Sequence, residues 1–391
     1  MSGHFTALNV QMFVRGWLVF QLTGSHAALG FVQLAGAVPQ LLFSTAGGVL
    51  ADMIPQKKWM VQAGQLVNGV NAAWITFFLF TDGLIVEHLV IAALVQGVVN
   101  ALMMPSRQAM IPEVAGEHRL TNALALNTAG MNFARLVMPG LAGYMIAFLG
   151  TGSGTSGAEW VYLMMTLLYF WSVLSMFMVP DFPGVRERVR TFRSAFTDVG
   201  EGFRYMKNTS SVRAVLIVNL FMVMTSMPYF FLLPGFVEDV LGGGSMRLGL
   251  LMSVQGIGSL IGSLAIASIE PKRRGRLLLL SGFCMAIALV VFFWTTWVWA
   301  SAAMLGIAGL GQAARQTLSN VLVQTYTKAD YRGRVMSVYM MEFSVVMIGV
   351  FFVGVTADRF GIQEALTGTA VALFLVMAYA WFFMPTFRHL D

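Results

Sequence analysis

The sequence predicts an all-α membrane protein: twelve transmembrane helices in two six-helix pseudo-repeat bundles, with a shortened first helix. Three observations predict it. Of 391 residues, 57% are hydrophobic and only 11% charged. A soluble domain carries about 25% charged residues, so this chain has more apolar surface than one soluble core can hide. About a dozen stretches approach the ~20 apolar residues that a helix needs to cross the hydrocarbon layer. The 24 Lys and Arg residues also alternate: nineteen lie in, or at the edge of, every second gap between those stretches, and only Arg247 and Arg359 lie in the intervening gaps. Short loops on the cytoplasmic side collect basic residues, so this alternation fixes both the threading and its direction.

The spans follow in order. Span 1 (5–22) begins after four residues, none basic, and carries Gln11 and Arg15. Span 2 (28–51) opens on Leu29-Gly30 and ends at the basic gap 52–58. Span 3 (59–81) stops at Asp82; span 4 (88–106) starts after Glu87 and ends at Arg107-Gln108. Span 5 (122–149) holds Asn132, Arg135 and Pro139 and runs into a Gly/Ser-rich gap, 150–157. Span 6 (160–179) meets the longest gap, 180–212, and span 7 (213–235) precedes Glu238 and Asp239. Span 8 (248–269) opens on Leu248-Gly249, an echo of span 2, and carries Gly258 and Gly262 at the spacing of a helix-packing contact. Span 9 (277–294) follows the basic gap 270–276. Span 10 (298–318) contains Arg315-Gln316, an echo of the Arg-Gln pair ending span 4, and span 11 (335–356) contains Glu342. Span 12 (364–384) leads to the basic tail from 385. Every basic gap follows an even-numbered span, which places both termini in the cytoplasm.

The echoes at equivalent places suggest a duplicated bundle, divided as an N-terminal bundle 1–179, a linker 180–212 and a C-terminal bundle 213–391. With Arg213 at its edge, the linker carries seven Lys/Arg residues. Within it Phe192, Phe196, Val199, Phe203 and Met206 recur at 4-3-4-3 spacing. An apolar stripe on a basic helix suits the inner membrane surface.

Several classes drop out. The formal charge of +6 invites a nucleic-acid partner, but the basic residues are confined to loops beside apolar spans, where anionic lipid is the natural partner. The single cysteine, Cys284, excludes an internal disulfide and any thiolate cluster. No metal site and no cofactor are expected. The chain lacks the GxxxxGK[ST], HExxH and GxSxG patterns, which removes the signs of ATP-driven transport and of hydrolase chemistry.

Charge inside a span is costly, about 2.5–3.5 kcal/mol at mid-membrane on insertion scales, and such residues face a bundle interior or a wet cavity. Arg15, Arg135 and Arg315 are the basic residues inside apolar stretches, and Glu342 alone among 18 acids lies well inside one. Polar neighbours share their helical faces: Gln11 with Arg15; Asn132 with Arg135 and Pro139; Gln96 with Asn100 and Arg107; Gln312 with Arg315; Asn219 with Tyr229 on span 7. The arginines fit exposure to a substrate cavity, whereas the individual Gln and Asn side chains fit hydrogen-bonded packing between helices better than cargo contact. Glu342 is the candidate proton carrier; a permanent ion pair with Arg315 fits its position too.

The loop Gly47-Gly48-Val49-Leu50-Ala51-Asp52-Met53-Ile54-Pro55-Gln56-Lys57-Lys58 resembles the signature between spans 2 and 3 of the major facilitator superfamily. The resemblance implies that Gly48 lets helices approach closely and that Asp52, Lys57 and Lys58 help latch the cytoplasmic side. Met53 stands where an arginine is usual. Stretches 14–25, 105–113 and 132–143 are similar to the efflux-permease branch that includes the enterobactin exporter. Pro139 and Gly143 fit an exporter-type motif in span 5, with Met138 in place of its usual glycine. Ala93 replaces an arginine frequent in proton-coupled members. In this superfamily spans 1, 4 and 10 line a central cavity.

The resemblance implies a secondary active transporter working by alternating access: proton-coupled export of small amphiphilic, siderophore-like or drug-like compounds across a bacterial cytoplasmic membrane. The partners expected are a small-molecule substrate, a proton or other coupling ion, and membrane lipid, with no nucleic acid and a monomeric state. Uptake or lysolipid flipping by the same fold, or a non-transporting sensor or scaffold, are the alternatives; an enzyme is not expected.

Overall fold

A computed structural model describes residues 2–54, 56–116, 119–151, 154–179, 192–268 and 272–390; the side chains of some helical residues, among them Asp52, 192–196 and Val199, lie outside the description. The linker segment 180–191 lies outside it as well. Among the described residues the chain is helical, with no strand. It forms two compact units, Met1–Phe196 and Thr197–Asp391.

The N-terminal unit holds α1 (Ser2–Thr23), α2 (His26–Met53), α3 (Lys57–Phe80), α4 (Val86–Ala115), α5 (Leu120–Leu149) and α6 (Ala158–Phe177). Helix α7 (Phe192–Asn208) leads into the C-terminal unit, with α8 (Ser210–Ser226), α9 (Pro228–Asp239), α10 (Ser245–Ser268), α11 (Arg274–Trp294), α12 (Val298–Tyr326), α13 (Arg332–Phe360) and α14 (Ile362–Phe383). Nine segments among the described residues are long and apolar enough to cross a membrane, α8 and α9 together making one of them. The others, α1, α3 and α12, are 22, 24 and 29 residues long. They are less apolar because they commit polar groups to the interior: Gln11 and Arg15; Gln62, Gln65, Asn68 and Asn71; Arg315 and Ser319, all buried. The outside shows the opposite pattern. Phe148, Trp171, Phe352, Phe382 and Phe383 are largely exposed, an arrangement stable against hydrocarbon rather than water.

Each unit contains one tightly packed pair built on glycine. In the N-terminal unit α2 meets α4, where Gly97 lies against the Gly36 carbonyl and Gly47 against the Ala101 carbonyl. In the C-terminal unit α10 meets α12: Gly258 lies against the Gly306 carbonyl, Gly262 against Leu310 and Gly309 against the Gln255 carbonyl. Without a hydrophobic drive between helices in lipid, close van der Waals approach supplies much of the attraction, and only a missing Cβ permits it. These pairs are spans 2 with 4 and 8 with 10, the same positions in either half.

Several boundaries differ from the sequence expectation. Span 7 is not one helix but two, α8 and α9, divided at Met227. Pro228 cannot donate a backbone hydrogen bond and restricts the residue before it. Helix α4 continues past residue 106 to Ala115, and α12 past 318 to Tyr326, because a helix that leaves the hydrocarbon has no reason to end at its first polar residue. The first helix starts at Ser2, earlier than the expected residue 5.

Of the stripe on α7, Phe192, Phe196 and Val199 have side chains outside the description; Phe203 is exposed and Met206 buried. The last turns of α7 are held to the turn before α13 and to the first turn of α13 itself. Glu201 pairs with Arg334 at 2.7 Å, Tyr205 stacks on Tyr331 with ring centroids 4.5 Å apart, and the Lys328 amide donates to the Tyr205 hydroxyl at 3.2 Å. Gly202 makes room for the Arg334 carbonyl.

Candidate functional site

The intramembrane polar residues gather into one network in each unit. In the N-terminal unit Gln96 of α4 is the hub. Its Oε1 accepts from Arg15 Nη1 at 2.7 Å and its Nε2 donates to Gln11 Oε1 at 2.5 Å. The same Gln11 oxygen accepts from the Tyr169 hydroxyl of α6 at 3.0 Å. Arg15 Nη2 reaches Gln33 Oε1 of α2 only at 3.5 Å, and Arg15 Nε has no hydrogen-bond partner among the described residues. Four helices thus meet around one buried guanidinium. Replacing Gln96 with Leu removes an acceptor from Arg15 and a donor from Gln11 at once. Leaving a buried charged donor unmet costs about 1–3 kcal/mol or more, so the Gln96→Leu protein is expected to melt earlier in detergent than wild type. The exposed Gln324→Leu is the control.

In the C-terminal unit Asn219 of α8 stands between two charges. Its Oδ1 accepts from Arg315 Nη1 at 3.0 Å, and its Nδ2 donates to both Glu342 oxygens, at 2.8 and 2.6 Å. Arg315 and Glu342 therefore do not pair directly; a buried amide transmits between them. A second knot lies beside the helix break. Gln255 Nε2 donates to the Tyr229 hydroxyl at 2.8 Å and to Gln312 Oε1 at 3.0 Å, and the Tyr229 hydroxyl reaches that same Gln312 oxygen at 3.2 Å.

The remaining candidates fall elsewhere. Arg135 is exposed on α5 and makes no hydrogen bond among the described residues, while Asn132 is half-buried and Pro139 buried on the same helix. Asn100 has a buried Oδ1 without a hydrogen-bond partner among the described residues. Of the loop signature, Gly48 faces open space, and the close approach expected of it falls on Gly47. Successive helical residues point about 100° apart, so only one of two adjacent glycines can face α4. Lys57 pairs with Glu113 at the far end of α4, and Lys58 Nζ donates to the Val179 carbonyl just beyond α6 at 3.0 Å. Cations suit the carbonyl ends of helices. The Asp52 side chain lies outside the description.

Sequence reasoning missed Gln33, Gln255 and Tyr169. Gln33 and Gln255 are isolated amides in apolar stretches, and equal weighting of every intramembrane amide would have found both. Tyr169 had no such signal, since aromatic residues also face lipid. Among the described residues no cluster of His, Cys, Asp or Glu could hold a metal ion.

The two units share one design, charged and amide side chains held inside apolar helices. Residues 5–391 match the family described as transmembrane secretion effector, and the chain belongs to that family of the major facilitator superfamily. It is 25% identical to the staphyloferrin A transporter of Staphylococcus aureus (strain NCTC 8325 / PS 47), over 98% of this chain and 96% of that one. It is 24% identical to the multidrug efflux pump Tap of Mycolicibacterium fortuitum, over 96% and 91%. A crystal structure of a bacterial homologue of the human lysosomal transporter Spinster, inward-facing and unoccupied, superposes with a TM-score of 0.76 at 13% identity, covering 99% of this chain and 97% of the other. That last likeness shows the fold alone. The protein is a multi-pass membrane transporter, not an enzyme.

Proposed function

We propose that this transporter is an exporter driven by proton entry, an antiporter that moves small amphiphilic, siderophore-like or drug-like compounds out across a bacterial inner membrane. Bundles 1–179 and 213–391, joined by the linker 180–212, work by alternating access as a monomer, with both termini in the cytoplasm and the basic loops against lipid. Relatives named as efflux proteins support the direction. The observation that carries the coupling is the Arg315–Asn219–Glu342 chain. Glu342 is the one acid well inside a span, and it is tied through an amide to a cation rather than locked against it.

That amide gives the proton a mechanical consequence. Ionised Glu342 accepts from Asn219 Nδ2 through both of its oxygens, which leaves Oδ1 for Arg315. Protonated Glu342 becomes a donor, and its natural acceptor is Oδ1, the atom Arg315 now holds. Proton arrival at Glu342 therefore loosens Arg315 on α12, and proton departure restores it. Tyr339, three residues before Glu342 on α13, also lies within electrostatic reach of both charges. Tyr229, next to the break between α8 and α9, marks the half-helix geometry that transporters use at binding sites.

The test is uptake of a lipophilic fluorescent dye into inverted vesicles. An acid-inside gradient is expected to drive accumulation, and a protonophore to abolish it. Equal accumulation with and without the gradient would refute proton coupling.

A further inference from the structure

The two units do not balance their buried charges. Arg315 is answered by Glu342, one amide away. Arg15 is only 8% exposed, and its partners are the uncharged Gln96 and Gln33. No acid of the N-terminal unit can help, because every Asp and Glu before residue 197 sits in a gap or at a span end. A buried guanidinium without a counter-ion is among the costliest arrangements in a bundle.

The hydrogen bonds show which edge is unanswered. Nη1 is fixed by Gln96 at 2.7 Å, and Gln96 is itself held by Gln11, which Tyr169 also bonds. Among the described residues Nη2 has only the long 3.5 Å contact to Gln33, and Nε is buried with no hydrogen-bond partner. The Nε–Nη2 side is the fork on which a guanidinium takes a carboxylate with two parallel hydrogen bonds.

We infer that the Nε–Nη2 edge of Arg15 is a subsite for a carboxylate carried by the cargo, which Gln33 Oε1 occupies when no cargo is present. This rests on the transporter reading above and narrows it to organic anions. Gln96 keeps the guanidinium turned so that the edge stays presented, and Gln33 gives way because its contact is weak. The edge is shut from solvent here, so cargo reaches it as the spans part during alternating access.

The probe is 2-naphthoate, with uncharged 2-naphthamide as control, in thermal melting of the full-length protein in neutral detergent at fixed ionic strength. A ligand that binds the folded state raises its melting midpoint. Naphthoate is expected to raise the midpoint dose-dependently and naphthamide to leave it in place, with the naphthoate shift lost in Arg15→Gln. Gln33→Glu tethers a carboxylate to the same edge: its midpoint rises without ligand and its naphthoate shift disappears. Equal shifts from acid and amide in the wild type, or a full naphthoate shift in Arg15→Gln, would overturn the subsite. If Arg15→Gln does not fold, a Gln33→Glu protein that melts earlier yet keeps its naphthoate shift overturns it instead. Flux through wild-type proteoliposomes separates the two readings. No flux of either compound under a pH gradient, with the Arg15-dependent shift intact, removes export and keeps the subsite; equal export of acid and amide removes the subsite and keeps export.

Discussion

Glu342→Gln is expected to lose gradient-driven transport by more than tenfold, while the protein folds normally and still exchanges cargo at equal pH on both sides. The substitution keeps shape but removes the charge and one acceptor. Asn219 Nδ2 now donates to both carboxylate oxygens; a glutamine offers one oxygen and a competing NH2 group. Arg315 keeps Asn219 Oδ1 but loses the negative charge beyond it. The expected loss comes from coupling: with no titrating group, a proton gradient has nothing to act on. A tenfold change corresponds to about 1.4 kcal/mol, within the reach of one charge-assisted contact. Asn219→Ala separates this from simple ion pairing. Removing the bridge should leave proton binding possible but disconnect it from α12, so flux becomes insensitive to pH without vanishing. If Glu342→Gln keeps full proton-driven transport, Glu342 is not the carrier.

Gly97→Val is the second large effect, and it acts on folding. A Cβ at Gly97 runs into the Gly36 carbonyl, a backbone atom that cannot rotate away. Overpacking in a close-packed interior costs about 1–3 kcal/mol and at times more, and here it strikes the tightest pair of the N-terminal unit. Gly258→Val should do the same to α10 and α12, since its Cβ would meet the Gly306 carbonyl. Gly48→Ala, with nothing near its Cβ, should leave the melting midpoint unchanged. The yield of monodisperse protein and its melting midpoint read all three, and a normal midpoint for Gly97→Val would contradict this account of helix pairing.

Much of the fold was legible because membrane insertion writes long, one-dimensional signals. Apolar length and the side on which Lys and Arg collect need no knowledge of tertiary structure, and helix class and span positions follow from them. The family was legible only in the loop signature 47–58 and its companion stretches. The break at Met227 has a sequence signal too, Pro228 inside span 7. The ends of α4 and α12 have none, because residues that leave the hydrocarbon lose the apolar signal without losing the helix. Within the networks, helical spacing placed Gln11 with Arg15 and Gln312 with Arg315, since each pair shares one helix. It could not place Gln33, Gln96 and Tyr169 around Arg15, or Asn219 between Arg315 and Glu342. Those contacts join residues up to 158 positions apart and depend on helix rotation, which no single-helix pattern records. Gly48 shows the same limit at the scale of one residue. A motif names the glycine pair, but only the rotation of α2 selects Gly47 as the one that meets α4.

The central claim is that cargo leaves as protons enter through Glu342. It is tested most directly in proteoliposomes that enclose a pH-sensitive dye, with an outward cargo gradient and no initial pH difference. Cargo leaving the wild-type protein should draw protons inward through the counter-transport step and acidify the lumen. Glu342→Gln should leave luminal pH unchanged while cargo exchange continues. A wild-type lumen that stays at constant pH as cargo leaves, or an equal acidification with Glu342→Gln, would contradict the account.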